Sequence, residues 1–392
     1  MTLKVDKSNW KKTKLDDVIE WYQKDIPNGE QAAFEIKNFV TAEHIDSDAI
    51  KIKRTGKIID GKKGPTITKH FQEGDLLLST RSVALRKAAI AQNEGVTGEK
   101  ILVLRPRVDS MVLKNLFSFV FHSSDFWNFA QNTAAGSVNK FTSWTKLRKY
   151  KFLLPPRDQQ AEIAELLWAM DDNIEKEIEL LKSLRILIKA TRKKHFQTKQ
   201  GDSYSLGNLA EIRAGIGFPL KYQGRLNNEI MFFKVGDMNS EKNRRYMNDS
   251  NNTITKTELK KLKGKIHKKG TLIFPKVGAA IATEKKRILS VDAVVDNNIM
   301  GVTPFDESVI QPDYLLEFFK TISLTSISNA GVVPSLNAQI VKNIKIYLPL
   351  EEIVKNYLVK INAMIELLEK TYEKINRSKT LKKSIINEIF SS

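Results

Sequence analysis

The chain has 392 residues, 64 Lys and Arg against 45 Asp and Glu, a formal net charge of +19 and no cysteine. That length suggests two or three domains, and 41% hydrophobic with 28% charged residues is ordinary globular composition. The missing cysteine excludes disulfides, thiolate metal sites and a thiol nucleophile, and no apolar run approaches the about 18 residues of a membrane span.

In chain order, short apolar runs bounded by glycine read as strands at residues 76–79 and 100–104, followed by a helical patch at 111–121. A long helix opens after Leu154. Pro155 and Pro156 sit at or before its first turn, where a missing N–H matters little. Asp158 and Glu162 suit the positive end of the helix dipole, and the late turns carry Arg192, Lys193 and Lys194. Its apolar residues are Ile163, Leu167, Met170, Ile174, Ile178, Leu181, Leu184 and Ile188. Further strands are expected at 272–274 and 299–302 and a helical patch at 313–319. A second long helix follows Leu348-Pro349, with Glu351 and Glu352 early and Lys379, Lys382 and Lys383 late. Val354, Leu358, Ile361, Ile365, Leu368, Tyr372 and Ile375 are spaced 4-3-4-3-4-3, a coiled-coil seam.

The two halves of this order match each other. Leu154-Pro155 and Leu348-Pro349 are offset by 194, as are the helix ends His195-Phe196 and Ile389-Phe390. Residues 72–78 resemble 268–274 at an offset of 196, and the segment from Gly136 to Phe141 answers Gly331 to Leu336 at 195. Residues 15–18 answer 206–209 at 191, and such small drifts are what loop insertions produce. The chain reads as two copies of one unit, an α/β domain and then a long helix. The expected domains are 1–154 and 201–348, with helical segments 155–200 and 349–392 packing on each other.

Charge is unevenly divided. Residues 1–154 hold 26 basic and 17 acidic residues, and 201–348 hold 21 and 14, whereas 155–200 hold 9 and 8 and 349–392 hold 8 and 6. The globular units therefore carry +16 of the +19, as expected of nucleic-acid binders joined by near-neutral connectors. In the first unit the candidate contacts are Lys51, Lys53, Arg54, Lys57, Lys62, Lys63 and Lys69, then Arg81, Arg86 and Lys87. In the second they are Arg244 and Arg245, then Lys276, Lys285, Lys286 and Arg287, with a further cluster at Lys256, Lys260, Lys261, Lys263, Lys265, Lys268 and Lys269. Asn139, beside Lys140, and Asn337 lie in the two matched polar loops, and asparagine can bond adenine through two hydrogen bonds.

Catalytic motifs are absent or incomplete. The run from Gly56 to Lys63 nearly matches G-x-x-x-x-G-K-[ST], but Lys63 has no hydroxyl for Mg²⁺, so a basic turn is expected. Gly215-Ile216-Gly217 is followed by Phe218-Pro219 rather than by a helix. The five histidines show no metal-ligand spacing, and no Asn-Pro-Pro-Tyr or Asp-Pro-Pro-Tyr string forms a base-amino methyl-transfer pocket. Glu284-Lys285-Lys286 has the E-x-K form of some nucleases, with Asp292 or Asp296 as a supporting acid. Two alternatives therefore stay open beside a non-catalytic binder: a self-contained Mg²⁺-dependent nuclease, and a transcriptional regulator with tandem domains.

Over essentially its full length the chain resembles the specificity (S) subunits of type I restriction–modification systems. The resemblance rests on the duplication and on Leu-Leu-Pro-Pro-Arg-Asp-Gln-Gln-Ala-Glu-Ile-Ala at 153–164, where Asp158-Gln159 replaces the family's Glu-Gln. Residues 74–81 and 233–238 resemble strands of the same domains, whereas the second helix start, at 348–353, lacks the second Pro and the Gln. The resemblance implies two target-recognition domains separated by two antiparallel coiled-coil helices with pseudo-twofold symmetry. It implies binding to double-stranded DNA at a bipartite site, without catalysis, cofactor or metal on this chain. Two modification subunits using S-adenosylmethionine and two restriction subunits using ATP and Mg²⁺ would be the partners, in the cytoplasm and away from any membrane. A 40-residue helix is about 60 Å long, ample for half-sites roughly 34–36 Å apart.

Overall fold

In the computed structural model the described residues are 6–27, 29–31, 33–58, 64, 66–329 and 331–390. The chain divides into two compact units. One takes the described residues through Leu180 together with those from Thr371 onward, and the other is Leu181–Lys370.

The first unit begins with β1 (Lys11–Lys14), α1 (Leu15–Val18), β2 (Ile19–Trp21), β3 (Asn38–Val40), β4 (Gly56–Lys57) and β5 (Ile67–Phe71). β6 (Leu76–Ser79), β7 (Ala88–Ile90), β8 (Gly95–Gly98) and β9 (Ile101–Pro106) follow. Then come α2 (Phe117–Val120), α3 (Ser124–Thr133), α4 (Trp144–Leu147), β10 (Lys151–Leu154) and the long α5 (Arg157–Gln197). One sheet has the order β2-β9-β6-β7, a second β4-β3-β8-β5, and β1 pairs with β10. β6 is buried on both faces, which its unbroken apolar run requires. Leu76 and Leu78 enter the main core with Phe119, Phe126 and Trp127, while Leu77 on the opposite face joins Val40, Phe71 and Val103.

The second unit repeats this plan. Its strands are β11 (Asp202–Ser205), β12 (Ala210–Ala214), β13 (Ile230–Phe233), β14 (Tyr246–Met247), β15 (Thr253–Ile254), β16 (Leu272–Pro275), β17 (Arg287–Leu289), β18 (Ala293–Val295), β19 (Ile299–Pro304) and β20 (Lys345–Leu348). Its helices are α6 (Lys256–Lys261), α7 (Pro312–Phe319), α8 (Leu324–Ile327), α9 (Ala338–Lys342) and the long α10 (Glu351–Phe390). The sheets run β12-β19-β16-β17-β14 and β15-β13-β18, and β11 pairs with β20. β13 lies parallel to β18 as β3 does to β8. In β16, Leu272 and Phe274 face one core and Ile273 the other, the alternation of β6 again.

Every apolar position expected in the two helical seams is buried or half-buried. Within the first unit, Lys382 of α10 donates to Asp171 of α5 at 2.6 Å, and Ile385, Ile386, Ile389 and Phe390 enter the main core. Within the second, His195 of α5 stacks on Tyr357 of α10 with ring centroids 3.8 Å apart. Glu317 of α7, fully buried, accepts from Arg192 of α5 at 2.5 Å and from Arg245 at 3.1 Å.

The helical patch expected at 111–121 is helix only over Phe117–Val120. Gln160 of α5 captures the preceding backbone: Leu113 N–H donates to its Oε1 at 2.8 Å, and its Nε2 donates to the Met111 carbonyl at 3.0 Å. Gly215 serves close backbone approach, since a Cβ there would stand 2.0 Å from the Val295 carbonyl oxygen. Lys62 and Lys63 of the near P-loop lie outside the described residues, whereas Gly56–Lys57 forms the edge strand β4.

Candidate nucleic-acid interface

Both units build the same irregular feature at the end of their central strand. After β6 the chain enters a left-handed conformation at Ser82 (φ 52°), makes a 3-10 turn over Val83–Leu85, and is left-handed again at Arg86 (φ 50°). After β16 it is left-handed at Gly278 (φ 68°), makes a 3-10 turn over Gly278–Thr283, and is left-handed again at Glu284 (φ 52°). A left-handed backbone costs a non-glycine residue roughly 1–2 kcal/mol, so three such residues mark a shape held by its surroundings.

A short hairpin docks on each turn. In the first unit Ala135 and Phe141 exchange backbone hydrogen bonds at 2.9 Å, and Thr142 N–H donates to the Thr80 carbonyl at 2.9 Å. In the second Asn329 N–H donates to Ser335 at 2.9 Å, and Leu336 N–H to the Lys276 carbonyl at 2.8 Å. Gly136, with φ 91°, turns the first hairpin. The tips project apolar residues into solvent: Val138 is 89% exposed, and Val332 and Val333 are 104% and 59% exposed.

The basic residues expected at the interface divide by what holds them. Arg81, Asn139 and Lys140 are exposed around the first hairpin, and none has a side-chain partner among the described residues. Arg86 and Lys276 are half-buried, likewise without one. Lys51 pairs with Asp172 at 2.8 Å and lies over the Trp168 ring, and Lys53 pairs with Glu175. Arg54 pairs with Asp46 at 2.7 Å, Lys57 donates to Asn38 at 2.7 Å, Lys69 pairs with Asp25 at 2.8 Å, and Lys87 donates to the Ala42 carbonyl. Arg244 pairs with Glu241, and Lys285 donates to Asn239. Exposed pairs are worth about 0.2–1 kcal/mol, so a phosphate can replace the carboxylate.

Four residues are committed to the fold. Arg245 bonds Asp313 at 2.7 Å as well as Glu317. Lys286 is 2% exposed and donates to Glu284 at 2.8 Å and to the Ile322 carbonyl at 2.7 Å. Burial pulls the Lys286 pKa down, against the pull of Glu284. Arg287 donates to the carbonyls of Asn243 and Lys286, and burial lowers its pKa too. Asn337 caps α9 by accepting from Ile340 N–H at 2.9 Å.

Among the described residues the largest set of unpaired cations is the further lysine cluster of the second unit. Lys256, Lys260, Lys261, Lys263, Lys265, Lys268 and Lys269, on α6 and the loop after it, are all exposed. None has a side-chain partner among the described residues. Their density in the sequence was the available signal.

The E-x-K triplet is also structural. Glu284 receives Leu324 N–H at 2.9 Å and Thr325 N–H at 3.1 Å, capping α8. Burial opposes its charge, but these bonds and the one from Lys286 outweigh burial and hold its pKa down to about 2. Asp292 accepts Lys269 N–H at 2.8 Å, and Asp296 accepts Asn298 N–H at 2.7 Å. Among the described residues no three acidic or histidine side chains gather where they could hold one metal ion. Nor is any described helix long and apolar enough to cross a membrane.

The family model of the type I restriction modification DNA specificity domain matches this chain twice, over residues 7–184 and 199–379. The fold resembles that of a chain solved in work on complex assembly and conformational transition of the type I R-M system. There the identity is 14%, the TM-score 0.63, and 97% of each chain is covered. It also resembles the type I restriction-modification system S subunit from M. genitalium, with 12% identity, a TM-score of 0.58 and 100% of each chain covered. At such identities these likenesses concern the fold. The two family matches span most of the chain, which therefore belongs to the type I restriction–modification DNA specificity family and is a DNA-recognition, non-catalytic subunit carrying that domain twice.

Proposed function

We propose that this chain reads a bipartite site on double-stranded DNA, one half-site per unit, and brings methyltransferase and restriction subunits to it. The duplication carries this reading: one strand order and one strained turn recur with diverged side chains, the layout expected for two unlike half-sites on one scaffold. Residues 1–154 and 201–348 are the recognition domains, and 155–200 and 349–392 form the spacer that fixes their separation. Two modification subunits using S-adenosylmethionine and two restriction subunits using ATP and Mg²⁺ supply the chemistry. Leu166, Leu180, Ile186 and Leu187 leave apolar surface exposed along α5, which supports docking of the modification subunits there. The cytoplasm is where such a complex meets DNA. The test is selection from random duplex DNA by the chain bound to its modification partner. A two-part motif with a fixed gap is expected, and one contiguous motif or no enrichment overturns the reading.

A further inference from the structure

We infer that the two hairpin tips, residues 136–140 and 331–334, are the base-reading elements, one for each half-site. The inference rests on the DNA-recognition reading above and goes further by naming the readers and the chemistry each can use.

Three observations converge. The tips occupy equivalent positions, each pinned by a backbone bond to the residue after the central strand, Thr80 in one unit and Lys276 in the other. Each rests on a 3-10 turn flanked by left-handed residues, a shape kept in both units despite its strain. Each exposes valine within its tip, and a lone exposed valine would be unremarkable where a matched pair is not. The occupant is fixed by charge: Arg81 and Lys140 lie at the first tip and Lys276 at the second, all without carboxylate partners among the described residues. A major groove about 12 Å wide admits a two-stranded ribbon of this kind.

The tips differ in what they offer. The first presents Gly136-Ser137-Val138-Asn139-Lys140, whose Asn139 amide has no partner among the described residues and is able to bond the N6 and N7 edge of adenine. The second presents Gly331-Val332-Val333-Pro334, which has no polar side chain and can only make apolar contact, as with the methyl group of thymine. The Asn337 Oδ1 already accepts the Ile340 N–H that caps α9, so the two-bond adenine contact open to Asn139 is not open to it.

The experiment is motif selection with the full chain and its modification partner, comparing wild type, Asn139→Ala and the double variant Val332→Ser with Val333→Ser. Asn139→Ala is expected to relax one position in one half-site, lowering discrimination about tenfold. The valine variant should relax the other half-site only. Lys260→Ala with Lys263→Ala should weaken binding to all sequences alike and leave the motif intact. All these positions are exposed, and thermal melts matching wild type would show the variants folded. A wild-type bipartite motif that survives both tip variants unchanged overturns the inference while the DNA-recognition reading stands. So does a weakened association with the modification subunit at constant motif, which would make the tips a protein contact. If the wild type selects no bipartite motif, the underlying reading fails instead.

Discussion

Two histidines bind the fold to neutral pH. His267 is fully buried with neither ring nitrogen bonded among the described residues, and His122 is 5% exposed with Nε2 likewise unpartnered. Burial, followed by the nearby cations Arg213 for His267 and Lys382 for His122, pulls both pKa values down to about 3. In the unfolded chain each ring titrates near 6.5. Below that pH the unfolded state takes up protons that the folded rings refuse. Stability present above pH 6.5 is therefore lost as pH falls toward 3, by about 1.4 kcal/mol per pH unit for each ring. Urea melts at pH 7 and pH 5 should show this loss, and His267→Leu should flatten the dependence of the second unit. An unchanged pH slope in that variant would refute the assignment. Residue-level roles were the least legible in the sequence. Lys285, Lys286 and Arg287 are one basic run in the sequence, yet Lys286 is held by the neighbouring Glu284 carboxylate and the Ile322 carbonyl, and Arg287 by the Asn243 carbonyl, the two carbonyls coming from distant segments. Charge density revealed clusters, not which members were free.

Elements were read better, because periodicity is local. The strands at 76–79 and 272–274 and both long helices follow from unbroken apolar runs and heptad spacing. At 111–116 side chains of Ser110, Gln160 and Trp168 take backbone groups that a helix would use. Gln160 is 1% exposed and spends both ends of its amide on other segments, its Nε2 also reaching the Pro155 carbonyl at 2.9 Å. Beside it, Gln159 accepts from the Trp10 indole at 2.8 Å. The glutamines at the helix start thus bind the first domain to its helix, a role no helical pattern displays. Gln160→Ala would strand the buried Pro155 carbonyl and the part-buried Leu113 N–H and Met111 carbonyl, at about 1–3 kcal/mol for a group left fully unpaired. A loss of about 3 kcal/mol in the urea-melt stability of the first unit is expected, with the motif selected from random DNA unchanged. A loss below 1 kcal/mol would show that water replaces the amide.

At the scale of the whole molecule, the repeat was legible from offsets near 194, but the ownership of the helices was not. The first unit is discontinuous: its core holds Ile385, Ile386, Ile389 and Phe390, which the chain supplies only after building the entire second unit. Asn387 also accepts Ser124 N–H at 2.7 Å, at the start of α3. Burying four such apolar side chains is worth about 1.5–3 kcal/mol each. Their sum rivals the whole stability of a typical domain, about 5–15 kcal/mol. A fragment of residues 1–180 should therefore lack a cooperative thermal transition. Adding a peptide of residues 371–392 should restore one, with a midpoint that rises with peptide concentration, since a ligand that binds only the folded state stabilises it by mass action. The same peptide carrying Ile386→Asp and Ile389→Asp should not rescue. A cooperative transition in the fragment alone, at the midpoint of the intact chain, would show that the first domain is self-sufficient. The duplicated sequence would then describe its folding as well as its fold.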